Sequence, residues 1–166
     1  MFDLKTLSPD AISRALAKAE RYRLLNEPGE AESICLDVLA ADADNQEAVA
    51  MLVLAITDQF VDDPRRVSEA LSLIARLHGE YEREYYTGII HERRAKAFLA
   101  HGAPRAGLPA YEWLREAMAN YERAEAIRPA NNDDALLRWN ACARLIMQDQ
   151  HLEPSREEPS EPLLSE

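Results

Sequence analysis

The chain has 166 residues, a hydrophobic content of 47% and a formal net charge of −11. This composition can bury one substantial core, so we expect a single folded domain. The excess of acidic side chains repels phosphate groups and predicts that nucleic acid is not a partner. The apolar run at residues 51–56 is too short to cross a bilayer and residues 1–5 do not begin a secretory signal, so we expect no membrane association and a cytoplasmic location.

The composition and the spacing of apolar residues both indicate helices. Glycine is rare, with 5 residues, and the abundant Ala, Leu, Glu and Arg lose little side-chain entropy in a helix. Apolar residues recur every three or four positions between about residues 9 and 148, and segments rich in Pro, Gly, Asn and Asp interrupt them. The interruptions predict seven helices, approximately at 9–25, 30–41, 46–59, 64–78, 80–101, 109–127 and 133–149.

The short connections predict that the first six helices form three hairpins, and that the seventh covers the last apolar face as a cap. We therefore place one helical domain at residues 1–150. The remaining segment, 151–166, has three prolines and five glutamates against one arginine. It contains too few apolar groups to offset the entropy of ordering, so we expect a disordered acidic tail.

Small and large apolar residues recur at the spacing of a helical-hairpin repeat of about 34 residues. In residues 12–45 they are Ala15, Ala19, Tyr22, Ala31, Cys35, Val38 and Ala43. The end of the pattern recurs at Ala117, Tyr121, Ala124 and Pro129, followed by Asn131 and Asn132. This pattern resembles the tetratricopeptide repeat family over about residues 9–148.

The middle of the chain departs from the repeat length. The second unit gains several residues around 60–66. Gly88 is similar to a conserved-type glycine of the family's first helix, but Ala117 lies farther along the chain than one repeat permits. We therefore expect an elongated fifth helix and a longer loop at about residues 102–108.

The resemblance implies an all-α fold, a right-handed stack of about three hairpins plus a C-terminal capping helix, known as an α-solenoid. It also implies that the first helix of each hairpin lines a concave groove. By that register the candidate groove residues are Leu16, Glu20, Arg23, Ala50, Leu54, Asp58, Tyr85, Ile89 and Glu92. One subgroup of the family grips a C-terminal carboxylate with Lys and Asn, but Leu16 and Glu20 stand at the corresponding positions, so we expect that mode to be absent.

The basic residues Arg93, Arg94 and Lys96 have two interpretations. With the neighbouring glutamates they form a solvated helix face, where each ion pair stabilises by about 0.2–0.5 kcal/mol. Alternatively the patch faces the groove and binds an acidic peptide or the protein's own tail, which makes Arg93 a further candidate groove residue. The tyrosines at 81, 85 and 86 are either core residues or rigid anchors in the same groove.

Residues with the spacing of a metal or catalytic site are not found. His91 and Glu92 begin like the helix of a zinc protease, but Ala95 occupies the position of the second histidine. Cys35 and Cys142 lie in apolar helical patterns and are expected to pack as small reduced hydrophobes. We therefore expect no cofactor, no metal and no enzymatic activity.

These observations predict a scaffold or adaptor that binds a peptide or helix of a partner protein in the groove. Two alternatives remain open. The apolar residues of the first and last helices predict a self-assembling homo-oligomer, and an acidic helical domain also suits an accessory or regulatory subunit of an enzyme or a secretion complex.

Overall fold

The computed structural model describes residues 2–102 and 105–154, which form seven α-helices and no strand. The helices are α1 Ile12–Leu24, α2 Pro28–Ala41, α3 Gln46–Thr57, α4 Val67–Ile74, α5 Glu80–Ala100, α6 Gly107–Ala126 and α7 Asp134–Gln148. Two short 3₁₀ turns, Pro9–Ala11 and Pro64–Arg66, lead into α1 and α4. The predicted all-α fold is confirmed. None of these helices, over the described residues, is both long and apolar enough to cross a membrane.

Helix ends follow local signals in the sequence. Pro28 occupies the first turn of α2, where its missing N–H costs nothing, so α2 begins two residues before the predicted start. The Asn45 side chain caps α3 by accepting a hydrogen bond from the Ala48 N–H at 2.9 Å. After α1 ends, Asn26 adopts φ 59°, a left-handed conformation that asparagine tolerates better than most residues.

Consecutive helices pack against one another along the whole chain, and α1 also contacts α3 while α3 contacts α5. The first helices of the successive hairpins are therefore neighbours, with α2, α4 and α6 as their partners. α5 and α6 make the most extensive helix pair. α5 spans 21 residues and is the longest helix of the described chain, which agrees with the elongated fifth helix that the sequence predicts.

The core consists of two apolar clusters. The first lies among α1 to α4 and includes Ala19, Cys35 and Ile56. The second lies among α5 to α7 and includes Leu114 and Cys142. Both cysteines are free and completely buried, and burial raises the pKa of each thiol to about 12. They therefore pack as small hydrophobes, as predicted.

Gly88 lets α5 and α6 approach closely. A Cβ atom at this position would lie 2.6 Å from the Cε1 atom of the Tyr121 ring, which is fully buried against it. The Tyr121 ring therefore fills the volume that a larger residue on α5 would occupy.

The packed part of the chain continues beyond residue 150, where the sequence places the end of the domain. Leu152 is 2% exposed and belongs to the second core cluster. The His151 backbone contacts Gly107 at the start of α6 so closely that no side chain fits at that glycine. Residues 155–166 of the predicted tail, and residues 103 and 104 of the predicted loop, lie outside the described residues.

Candidate functional site

Charged side chains from α1, α5 and α7, and from the residue that follows α3, meet on one side of the molecule. We call these residues the charge cluster. They are Arg23, Asp58, Glu92, Arg93, Lys96 and Arg138. Each of the four odd-numbered helices therefore contributes to, or leads directly into, one continuous ionic surface.

Asp58 joins three helices at one end of the cluster. Its Oδ2 atom accepts a hydrogen bond of 2.7 Å from Nε of Arg23 on α1, and its Oδ1 atom pairs with the guanidinium of Arg93 on α5. The Asp58 backbone N–H still bonds to the Leu54 carbonyl, so the last turn of α3 holds the carboxylate in place. All three charged side chains are mostly buried, which strengthens their mutual attraction.

Glu92 lies at the other end and is 1% exposed. Its carboxylate accepts hydrogen bonds from the Tyr121 hydroxyl at 2.6 Å and from Lys96 Nζ at 2.5 Å. Arg138 Nη1 of α7 lies 3.4 Å from the same carboxylate. A buried carboxylate is tolerated only when donors surround it, and here α5, α6 and α7 each supply one.

Burial and mutual repulsion both act on the arginines. Desolvation, together with the nearby charges of Arg23 and Arg138, lowers the pKa of Arg93 to about 10. Burial opposes the charge of Arg138, but Glu92, Tyr85 and Tyr121 together outweigh burial, so the pKa of Arg138 is raised. With four cations (Arg23, Arg93, Lys96, Arg138) against two carboxylates, the cluster has a formal surplus of 4 − 2 = 2 positive charges.

A cavity of about 330 Å³ lies beside the cluster. Its lining consists of Thr57, Asp58, Val61, Glu92, Arg93, Lys96, Ala97 and Arg138. Lys96 is the most exposed charged group here, with 47% of its side chain accessible. A negatively charged group entering this cavity would therefore meet several donors fixed in advance by the protein.

The structure brings together some of the predicted groove residues and separates others. Arg23, Asp58, Glu92 and Arg93 all belong to the charge cluster, and the ring of Tyr85 packs 6.0 Å from the ring of Tyr121 next to it. Ala50 and Leu54 on α3 are half-buried, whereas Glu20 on α1 is exposed.

Leu16 and Ile89 lie in the first and second core clusters, and each is only 2% exposed. Their side chains therefore hold helices together and present almost no surface to a partner. The repeat register assigns Leu16 and Ile89 to the helices predicted to line the groove. It does not distinguish a side chain that is exposed in the groove from one that is buried in the core below it.

The predicted basic patch on α5 divides between two surfaces. Arg93 and Lys96 join the charge cluster, whereas the Arg94 guanidinium stacks over the Trp113 ring at 3.9 Å from its centroid. Phe98 meets the same ring edge-on at 5.2 Å. A smaller cavity of about 240 Å³ lies there, lined by Phe60, Pro64, Val67, Arg94, Ala97, Phe98 and Trp113.

Two members of the site, Arg138 and Tyr121, were not predicted. Tyr121 was assigned to the repeat pattern as a packing residue, and its ring does pack, but its hydroxyl also donates to Glu92. Arg138 lies on the capping helix, and its contact with α5 depends on how α7 docks. A local sequence signal for either role is absent, because the partners are 29 and 46 residues away in the chain.

The described residues contain no group of three or more His, Cys, Asp or Glu side chains arranged to hold a metal ion. His91 is half-buried, with Nδ1 3.3 Å from a carboxylate oxygen of Glu116, and burial lowers its pKa. The charged groups of the cluster instead form ion pairs with each other. Because cations outnumber carboxylates in the cluster, this arrangement can hold an anionic ligand.

Comparison with protein-family models, with curated proteins and with solved structures finds no match for this chain. Fold and site together define a class, an all-helical protein whose alternate helices share one ionic surface. The resemblance to tetratricopeptide repeats stays a prediction that rests on the residues of this chain.

Proposed function

We propose that the protein is a non-catalytic binding module of tetratricopeptide type, a cytoplasmic scaffold or adaptor. In this proposal the hairpins form a right-handed stack, and the surface of α1, α3, α5 and α7 is a groove that holds a peptide or helix of a partner protein. The observation that carries the proposal is the charge cluster, because side chains from α1, α5 and α7 and from the residue that follows α3 meet in it. A surface built from several repeats suits an elongated ligand.

The chemistry of the available groups supports binding rather than catalysis. Arginine keeps its proton at neutral pH and so does not act as a general base. Both thiols are buried and their pKa is raised to about 12, which disfavours the nucleophilic thiolate. Paired charges with fixed geometry instead provide selectivity for a ligand of complementary charge.

A pair of variants tests the groove without leaving a buried carboxylate unpaired. In the groove variant, R23Q/K96Q, Asp58 keeps Arg93 as its partner, and Glu92 keeps Arg138 and Tyr121. The control variant, R21Q/R144Q, also removes two positive charges, but from exposed positions outside the cluster. Any difference between the two variants therefore reports on the groove and not on net charge.

Partners are captured from the native host with wild-type protein and with both variants, and the affinity of each captured partner is then measured with purified components. We expect the wild type and the control variant to bind equally, and the groove variant to bind at least about tenfold more weakly, because one largely buried cation and one half-exposed cation are lost. Equal binding by the groove variant, or the absence of any partner for the wild type, would contradict the proposal.

A second candidate function, assembly of the protein into a homo-oligomer, is favoured by large apolar side chains exposed at both ends of the helix array. Leu24 and Leu25 are exposed at the end of α1, and Leu137 and Met147 are exposed on α7. Sedimentation velocity over a range of concentrations tests this candidate. Association that disappears in Leu24→Ser/Met147→Ser would support it, and a monomer at the highest concentration would eliminate it.

A further inference from the structure

The charge cluster is a local exception in an acidic protein. The whole chain has a formal net charge of −11, yet the cluster has four cations against two carboxylates. Arg93 lies close to both Arg23 and Arg138, and all three are substantially desolvated. Crowded cations of this kind favour an added anion, because it reduces their mutual repulsion.

The described chain ends at a cavity that is partly lined by α5, the helix that carries Glu92, Arg93 and Lys96 of the charge cluster. Pro154 lines a cavity together with Leu99 of α5. Leu99 follows Lys96 by three residues and Glu92 by seven, so these three side chains lie in one row along α5. The α5 wall of this cavity therefore lies about one helical turn, about 5 Å, beyond Lys96 of the charge cluster.

The twelve residues that follow have the complementary charge. Residues 155–166 contain Glu157, Glu158, Glu161 and Glu166 against the single Arg156, a formal charge of 1 − 4 = −3. Twelve residues can extend over about 40 Å, which is enough to follow the cluster from Lys96 towards Arg23. Their origin at Pro154 also keeps them at a local concentration in the millimolar range, so that weak ion pairs suffice for docking.

We propose that the acidic segment 155–166 docks on the charge cluster of its own chain and occupies the groove until a partner segment displaces it. The inference rests on the groove of the proposed function and adds its regulation. An intramolecular occupant raises the apparent dissociation constant of any partner that needs the same cations. Partners with higher negative charge than the segment would then be selected over neutral ones.

A spin label on the segment locates it in the full-length protein. Cys35 and Cys142 are both 0% exposed, so a thiol-directed label in the Ser165→Cys variant reacts with the new cysteine alone. Paramagnetic broadening of assigned backbone amides then reports which surface the segment visits. We expect broadening of the amides around Lys96 and Arg138 at low salt, and its loss as salt shortens the Debye length from about 10 Å at 0.1 M to about 3 Å at 1 M.

Charge variants that carry the same spin label test whether ion pairs cause the docking of the segment. Each exposed ion pair is worth up to about fivefold in the ratio of docked to free segment, so E157Q/E158Q/E161Q is expected to lower this ratio by up to about a hundredfold. The groove variant R23Q/K96Q should also abolish the broadening, and the control variant R21Q/R144Q should retain it.

Broadening that is centred on another surface, that is uniform, or that persists in E157Q/E158Q/E161Q would overturn the inference. The result is independent of the partner experiment, since no partner is present. If the segment does not dock and the groove variant still loses its partner, the proposed function stands and its regulation by this segment does not. If the segment docks but no partner is found, the docking of the segment on its own chain stands and the proposed function does not.

Discussion

At the scale of single residues, the buried carboxylate of Glu92 is the group whose environment matters most. The Tyr121 hydroxyl donates to it at 2.6 Å within the core. Tyr121→Phe removes this donor and leaves Glu92 with only Lys96 and Arg138, so we expect the free energy of unfolding to fall by about 1–3 kcal/mol. Urea denaturation of the variant measures the change.

Tyr111→Phe is the matched control, because Tyr111 lies on the same helix but is only half-buried. Loss of the Tyr111 hydroxyl should change the unfolding free energy by less than about 0.5 kcal/mol. An equal effect of the two substitutions would show that the hydrogen bond to Glu92 does not contribute to stability.

The two thiols give a prediction for the dependence of stability on pH. Burial raises the pKa of Cys35 and of Cys142 from 9.0 to about 12. A raised folded-state pKa contributes stability that is complete below the unfolded pKa and is lost as the pH rises towards the folded value. Between about pH 9 and pH 12 each thiol should therefore lower the unfolding free energy by up to about 1.4 kcal/mol per pH unit.

Cys35→Ala/Cys142→Ala tests this assignment through the slope of stability against pH, not through stability itself. The variant loses packing at every pH, but its stability should decline less steeply than that of the wild type between pH 8 and about pH 10. Urea denaturation at several pH values gives both slopes, and parallel slopes would show that the thiols do not titrate differently in the folded and unfolded states.

Sequence patterns at the residue scale predict the apolar role of Cys35 but not the burial of Glu92. Both lie on amphipathic helices, and the apolar neighbours of Cys35 place it on the inner face directly. Glu92 lies among Arg93, Arg94 and Lys96, which locally indicates a solvated face. Its burial depends on donors from α6 and α7, which no pattern within α5 contains.

At the scale of helices, the contact between α5 and α6 depends on Gly88. Gly88→Ala should raise the intrinsic stability of α5 by about 1 kcal/mol, but the new Cβ atom would lie 2.6 Å from the Tyr121 ring. The buried ring cannot move without displacing its neighbours, so we expect a net loss of about 1–3 kcal/mol in the unfolding free energy. Chemical denaturation measures this loss.

Gly29→Ala provides the control at the start of α2, because a Cβ atom there meets no other atom within 4 Å. It should leave stability unchanged or increase it by up to about 1 kcal/mol. Stabilisation by both alanines would mean that the α5–α6 contact relaxes at little cost, contrary to the close packing described above.

Helix boundaries show where local signals are sufficient. Proline and asparagine place the starts of α2 and α3 within two residues of the structure. The end of α4 differs, since the sequence predicts a helix to about residue 78 and α4 ends at Ile74. Gln46 of α3 accepts from the His78 N–H at 2.8 Å and donates to the Arg76 carbonyl at 3.1 Å. These hydrogen bonds to Gln46 replace the backbone hydrogen bonds that a longer α4 would make. The sequence of residues 64–78 contains no signal for them, because Gln46 lies outside that segment.

At the scale of the whole molecule, the number and pairing of helices follow from the sequence, whereas the composition of the charge cluster does not. Arg23 and Arg138 lie 115 positions apart (138 − 23), and they approach the same site only because the five helices between α1 and α7 pack so that both residues lie on one side of the molecule. Which side chains of distant helices meet depends on the packing angles of every helix between them, so the spacing of residues within one segment cannot predict it.

The extent of the folded unit gives the last prediction. Leu152 is buried in the second core cluster, so a chain that ends at Gln150 loses its contacts, whereas one that ends at Pro154 keeps them. At 1 M salt, which releases the acidic segment from the charge cluster, we expect truncation after Gln150 to lower the unfolding free energy by about 2 kcal/mol or more, as for removal of other buried leucine side chains. Under the same conditions, truncation after Pro154 should leave it within about 0.5 kcal/mol of the full chain. For a chain of this size the first change corresponds to a decrease in Tm of about 4–8 °C.

Leu152→Ala in the full chain should reproduce most of this decrease, because the leucine side chain supplies the buried contact. Equal Tm values for the two truncated proteins would place the end of the folded unit at residue 150, as the sequence pattern alone predicts.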